Sequence, residues 1–90
     1  MTEAERAEQV FQALKSAEHG RPDAALPMLN GLMGLVQSDT GEQRLEVEEA
    51  RSSAFLSICE LGKALHRGQP TSSLWPSAIA ATERWMVLVR

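Results

Sequence analysis

Apolar residues recur every three or four positions in four separate stretches of the chain, which is the period of α-helices rather than of strands. No stretch sustains an alternation of apolar and polar residues, and the helix-favouring residues Ala, Leu, Glu, Gln and Arg dominate the sequence. The pattern predicts an all-α fold: a small bundle of about four helices, arranged as two helical hairpins, with the third helix longest. We expect a single helical domain spanning residues 1–90.

The first predicted helix begins at Thr2 or Glu3 and ends at His19, with Gly20 just beyond its end. Its apolar face is narrow, so this helix needs a neighbouring helix to be stable. The face consists of Ala7, Val10, Phe11, Leu14 and Ala17.

The second predicted helix follows a turn marked by Gly20 and Pro22, with Asp23 as its N-cap, and it reaches about Gln37. A start at Pro27 is the alternative, because proline is best tolerated in the first turn of a helix.

Small side chains gather on one side of this second helix, while large apolar side chains cover most of the rest. The small strip comprises Ala24, Pro27, Gly31, Gly34 and Ser38. Each glycine costs about 1 kcal/mol relative to alanine inside a helix, so Gly31 and Gly34 predict a close approach by another helix. The alternative is that the two glycines mark a loose or broken helix.

The third helix is predicted to begin near Gly41, because two overlapping capping boxes precede it. These boxes pair Asp39 with Glu42 and Thr40 with Gln43. Gly68 and Pro70 end the helix, which gives it a length of about 26 residues. Its apolar stripe runs through Val47, Ala50, Ala54, Ile58, Leu61 and Leu65.

The fourth helix begins after an N-cap at Ser72 or Ser73 and carries Pro76 in its first turn. Its apolar stripe is broad and continues to the last turn. The stripe contains Leu74, Ala78, Thr82, Trp85 and Val89, with Trp75, Ile79 and Met86 beside it.

The charge balance disfavours partners that carry many phosphates. Nine Lys and Arg residues stand against twelve Asp and Glu residues, for a net charge of −3, so nucleic-acid binding is not expected. The single cysteine, Cys59, cannot form an intramolecular disulfide, and the charged stretch MTEAERAEQ does not resemble a signal peptide. The longest apolar stretch is about half of the roughly 20 residues needed to cross a membrane, so we expect a cytoplasmic protein without a membrane partner.

No group of residues in the sequence has the spacing of a catalytic, cofactor-binding or metal-binding site, so we expect a protein that is not an enzyme and uses no cofactor. The two histidines, His19 and His66, both fall in the last turn of a predicted helix, where they suit the exposed carbonyls. An alternative function is a small phosphorelay or enzyme component that uses one of these histidines. A DNA-binding regulator that uses Lys63 and Arg67 is a weaker alternative.

The amount of apolar helix surface predicts a protein-binding function. A bundle of this size has a thin core and cannot cover every apolar face of the second and fourth helices. We therefore expect a protein–protein interaction module of the adaptor, chaperone or inhibitor type, acting as a homodimer or by capturing a helix of another protein. The expected partner-binding residues are Met28, Leu32, Leu35, Gly31, Gly34, Trp75, Ile79, Trp85, Met86 and Val89.

Overall fold

The computed structural model describes residues 2–37 and 44–90, with the side chains of residues 22 and 23 left aside. These residues form four α-helices and no strand. The helices are α1 (Glu3–Ala17), α2 (Pro22–Gln37), α3 (Leu45–His66) and α4 (Leu74–Val89). The all-α prediction is confirmed, and the 22-residue α3 is the longest helix.

Each helix packs against two others, so the four form a closed ring in which α1 and α3 lie diagonally opposite each other, as do α2 and α4. The helices alternate in direction. The start of α1 contacts the last turns of both α2 and α4, and Arg44, just before α3, also contacts the last turn of α4. The most extensive contact joins α3 to α4 and the least extensive joins α1 to α2. At about 33 Å, α3 runs along nearly the whole 37 Å length of the bundle.

The core is built from the predicted apolar stripes. Among the described residues, the buried polar or charged ones are Arg6 and Thr82, and the Thr82 hydroxyl donates to the Ala78 carbonyl oxygen at 2.8 Å. The largest fully buried side chains are Trp85, Leu14, Leu29, Ile58, Leu61, Val10, Val36 and Thr82. The helical period was therefore sufficient to identify which side of α1, α3 and α4 faces inward.

Helix α1 begins with a reciprocal capping box between Thr2 and Glu5. The Glu5 N–H donates to Thr2 Oγ1 at 3.1 Å, and the Thr2 N–H donates to Glu5 Oε1 at 3.0 Å. The hydrogen bond from the Thr2 backbone, followed by that from its side chain, lowers the pKa of Glu5 below its ordinary value. The helix ends at Ala17, two residues before the predicted His19.

Helix α2 begins at Pro22, so Asp23 lies inside the helix and the predicted N-cap is wrong. The Arg21 carbonyl oxygen already accepts from the N–H groups of Ala24 and Ala25, at 3.1 and 3.2 Å. Proline suits the first helical position, since its missing N–H would have no partner there. Pro27 consequently lies in the helix interior, and the alternative start at that residue is also wrong.

The predicted start of α3 near Gly41 is wrong, because Arg44 is extended and the helix begins at Leu45. The capping boxes of residues 39–43 lie outside the described residues, as does Ser38. The Arg44 side chain gives no cap to its own helix. Its Nη2 atom instead donates to the Leu88 carbonyl oxygen of α4 at 2.6 Å, a contact that local sequence signals do not reveal.

The end of α3 and the start of α4 follow the prediction more closely. Gly68 has a φ of +67°, and the N–H groups of Gly68 and Gln69 donate to the carbonyl oxygens of Leu65 and Ala64, which is the Schellman arrangement. Ser73 occupies the N-cap position of α4, but its side chain makes no capping hydrogen bond.

Candidate functional site

The small-residue strip of α2 faces solvent. Ala24, Pro27, Gly31 and Gly34 are all exposed, and a Cβ atom added at either glycine would meet no heavy atom within 4 Å. No other helix of the described chain makes the predicted close approach, which stays a prediction for a helix from outside. The helix also continues without interruption to Gln37, so the alternative of a broken helix is wrong.

We call this outward side of α2, with its flanking apolar side chains, the α2 face. No charged residue occurs anywhere between Ala24 and Gln37. The exposed centre of the α2 face comprises Ala24, Pro27, Asn30, Gly31, Gly34 and Gln37. Half-buried Leu26 and Met33 flank it towards α3, and half-buried Met28 and Leu35 flank it on the other side.

A groove separates α2 from α3 along one side of the α2 face. One part of the groove, of about 380 Å³, has a floor that includes Leu26, Met33 and Gly62 and a rim that includes Lys63 and Arg67. Half-buried Cys59 also lines this part of the groove. A second hollow of about 290 Å³ lies between Val36 of α2 and Phe55 of α3. The groove is apolar along its floor and basic at the end where α3 terminates.

The ten residues expected to bind a partner do not form one surface. Leu32, Trp75, Trp85 and Met86 are buried core residues, and Trp85 has no solvent exposure. Met28, Leu35, Ile79 and Val89 are half-buried, whereas Gly31 and Gly34 are exposed. Because α2 and α4 are diagonal in the bundle, their outer sides point away from each other. Of the ten, four therefore lie together on the α2 face: Met28, Gly31, Gly34 and Leu35.

A polar cluster that the sequence did not indicate joins three helices at one end of the bundle. Glu3 Oε2 accepts from Trp85 Nε1 at 2.8 Å and from Arg51 Nη1 at 3.0 Å. The Glu3 and Arg51 side chains are 14% and 17% exposed. Since all three side chains satisfy one another, this cluster is suited to positioning the helices rather than to reacting with a ligand.

Two further arginines at the same end bind helix C-termini that carry no basic residue of their own. Arg6 is only 6% exposed, and its Nε atom donates to the Leu35 carbonyl oxygen of α2 at 2.9 Å. Arg44 does the same for Leu88 of α4. A positive charge at a helix C-terminus is favourable because it faces the negative end of the helix dipole.

One sequence signal could have found part of this cluster. Glu3 continues the α1 stripe of Ala7, Val10 and Leu14 backwards by four residues, so it lies on the buried side of its helix. A buried tryptophan also needs an acceptor for its indole N–H. The sequence alone could not pair Glu3 with Trp85, because 82 residues separate them.

The two histidines lie at the opposite end of the bundle. His19 is exposed, with Nε2 at 3.7 Å from the Glu18 carboxylate, and His66 is exposed as the last residue of α3. In the described part of the chain, no three His, Cys, Asp or Glu residues are grouped so that they could hold a metal ion. The described helices also include none long and apolar enough to cross a membrane.

Comparison of the chain with known protein families, with curated proteins and with solved structures returned no match.

Proposed function

We propose that the protein is a non-enzymatic protein-binding module that holds an apolar helix of another polypeptide against the α2 face. One observation carries the proposal: α2 exposes a side without charge, on which Gly31 and Gly34 leave the backbone bare between two rows of half-buried apolar side chains. The exposed sides of α1, α3 and α4 all carry charged residues.

The two glycines support this use of the α2 face. Glycine lowers the stability of an exposed helix position by about 1 kcal/mol relative to alanine, and neither Gly31 nor Gly34 makes room for another part of the described chain. An incoming helix can approach bare backbone more closely than it can approach side chains. Its apolar residues would then contact Met28 and Leu35 on one flank and Leu26 and Met33 on the other.

The charged groups beside the α2 face can orient the incoming helix. Lys63 and Arg67 stand at one end of the groove between α2 and α3, whereas the centre of the α2 face is uncharged. In interfaces of this kind the apolar centre supplies affinity and the charged rim sets the direction of binding. Adaptors, chaperones and inhibitors that capture a helix work in this way.

The test introduces a charge into the α2 face without disturbing the bundle. Wild-type protein, Gly34→Arg and the matched control Ala80→Arg, which alters an exposed position of α4, serve as baits in lysate from the native host. We expect a partner to be retained by wild type and by Ala80→Arg but lost with Gly34→Arg. Circular dichroism should show unchanged helix content, because a side chain at position 34 meets no neighbour.

Two results would contradict the proposal. One is capture of the same proteins in the same amounts by all three baits. The other is loss of the partner with Ala80→Arg and not with Gly34→Arg, which would move the binding surface from α2 to α4.

A further inference from the structure

Helix α3 presents a second uncovered surface, which shares Lys63 and Arg67 with the rim of the groove beside the α2 face. Outward side chains recur every three or four positions from its first residue to its C-cap, and all of them are exposed. We call these residues the α3 stripe: Leu45, Glu49, Ser52, Leu56, Glu60, Lys63 and Arg67.

Two of the large apolar side chains that are exposed to solvent lie on the α3 stripe. Leu45 is 70% exposed and Leu56 is 62% exposed, and the third such residue in the described chain is Val87 of α4. A single exposed leucine is ordinary. Two on one side of a helix, about 16 Å apart along its axis, give the α3 stripe an apolar side chain at its centre and another at one end.

Two opposite charges of the α3 stripe lie symmetrically about Leu56. Glu49 lies seven residues before Leu56 and Lys63 lies seven residues after it, which is two helical turns in each direction. Leu45 and Arg67 both lie eleven residues from Leu56. When the stripe is turned end to end and laid on itself, Glu49 therefore meets Lys63 and Leu56 meets itself. Glu60 meets the uncharged Ser52.

These two charges are available for such pairing. Glu49 makes no ion pair with any other residue in the described part of the chain. The ion pair of Lys63 is with Glu60 of its own helix, at 4.0 Å between two side chains that are 62% and 67% exposed. A pair this long and this exposed contributes little, so it does not hold Lys63 away from a better partner.

We propose that the α3 stripe binds a second copy of this chain, with the two α3 helices antiparallel and a two-fold axis at Leu56. Leu56 packs against its own counterpart, and Glu49 of each copy pairs with Lys63 of the other. Leu45 covers the aliphatic stem of Arg67. Parallel packing would instead place Glu49 beside Glu49 and Lys63 beside Lys63, so the charges select the antiparallel orientation.

A second copy fits the stripe because a two-fold interface must be complementary to itself, and the α3 stripe meets that condition at Leu56 and at the two Glu49–Lys63 contacts. This dimer goes beyond the proposed function and does not depend on it, since it leaves the α2 face unused. A pair of single helices about 33 Å long lies at the small end of the range of specific interfaces. We therefore expect a weak dimer that forms as concentration rises.

The first test measures mass by sedimentation equilibrium from about 1 µM to about 0.5 mM, the range suited to a small interface. The wild type should shift from the 9.9 kDa monomer towards twice that mass. Leu56→Glu should remain monomeric, because it places two carboxylates on the two-fold axis. The matched control Val87→Glu alters an exposed apolar residue of α4 and should dimerise as the wild type does.

The second test reverses charges. Glu49→Lys alone creates two Lys–Lys contacts in the dimer and Lys63→Glu alone creates two Glu–Glu contacts, so each should weaken association about tenfold or more. An equal mixture of the two single variants contains opposite charges at both contacts and should form a heterodimer. The double variant Glu49→Lys with Lys63→Glu should also dimerise again, although its exchanged charges oppose the helix dipole and lower its monomer stability.

The outcomes separate this proposal from the proposed function. A wild type that stays monomeric at about 0.5 mM would overturn the dimer, as would single charge variants that associate like the wild type or a mixture that does not associate. Gly34→Arg should dimerise normally, and Glu49→Lys, which alters a residue outside the groove between α2 and α3, should still capture the partner of the α2 face. Failure of the α3 variants to change the mass would therefore not contradict the α2 proposal. Failure of Gly34→Arg to lose the partner would not contradict the dimer.

Discussion

At the scale of single residues, glycine has opposite roles in different parts of this chain. Gly68 has a φ of +67° and ends α3, a conformation in which a Cβ atom is strained. Gly31 and Gly34 are ordinary helical residues, and a Cβ atom added at either would meet no heavy atom of the described residues within 4 Å. The first glycine is required by the fold, whereas the other two reduce its stability and are better explained by what approaches α2 from outside.

Alanine substitutions should show this difference in the free energy of unfolding. Gly31→Ala and Gly34→Ala should each raise it by about 0.5–1 kcal/mol, because alanine favours the helix and meets no neighbour. Gly68→Ala should lower it by about 1–2 kcal/mol, because alanine is strained at positive φ. Urea denaturation of the three variants against wild type measures both effects.

A loss of stability in Gly31→Ala or Gly34→Ala would mean that something within the chain already contacts these positions. That result would contradict the exposed placement of the α2 face on which the proposed function depends.

At the scale of helices, α2 and α4 end without a basic residue in their last turns and depend on neighbouring elements for a positive charge. Arg6 of α1 donates to Leu35, and Arg44, the residue before α3, donates to Leu88. The helix ends are thus stabilised by tertiary contacts rather than by their own sequences. This arrangement also ties α1 to α2, the pair of neighbouring helices with the least extensive packing.

Replacing Arg6 with methionine should test this contact. Methionine keeps most of the buried aliphatic volume of Arg6 but cannot donate to the Leu35 carbonyl oxygen. We expect Arg6→Met to lower the free energy of unfolding by about 1–2 kcal/mol and to speed hydrogen exchange in the last turn of α2. The control Arg84→Met alters an exposed arginine of α4 and should change stability by less than about 0.5 kcal/mol. Equal effects of the two substitutions would show that the Arg6 contact adds nothing to α2.

At the scale of the whole molecule, a few polar side chains at one end of the bundle connect three of its helices. Glu3 of α1 accepts from Arg51 of α3 and from Trp85 of α4, so one carboxylate connects three helices. Removing it takes one acceptor from the mostly buried Arg51 guanidinium and leaves the Trp85 indole N–H without its Glu3 acceptor. A buried donor that loses its acceptor costs more than the hydrogen bond itself contributes.

We expect Glu3→Ala to lower the free energy of unfolding by about 2–3 kcal/mol, measured by urea denaturation. The control Glu8→Ala removes the carboxylate of a side chain that is 50% exposed and lies 4.0 Å from Arg90. It should lower the free energy of unfolding by less than about 1 kcal/mol. A Glu3→Ala variant as stable as Glu8→Ala would show that the cluster does not hold the three helices together.

The sequence by itself determined the features that depend on residues a few positions apart. The helical period identified four helices and the buried sides of α1, α3 and α4, and Gly68 with Pro70 located the end of α3. These signals are local because a helix repeats within four residues and a cap acts within one turn. The same signals misplaced the start of α2, where Pro22 rather than Ala24 is the first helical residue. They also misplaced the start of α3, next to which Arg44 makes a contact with α4 that lies outside any local pattern.

Only the tertiary structure decided which side of α2 is inside. This helix is apolar nearly all round, so its period does not indicate which side is buried. Packing against α1 and α3 places Gly31 and Gly34 on the outer side. The contacts of Arg6, Arg44, Arg51 and Trp85 join residues 29, 44, 48 and 82 positions apart. Such pairs become neighbours only when the helices assemble, because distant residues are brought together by packing and not by the repeat of a single helix.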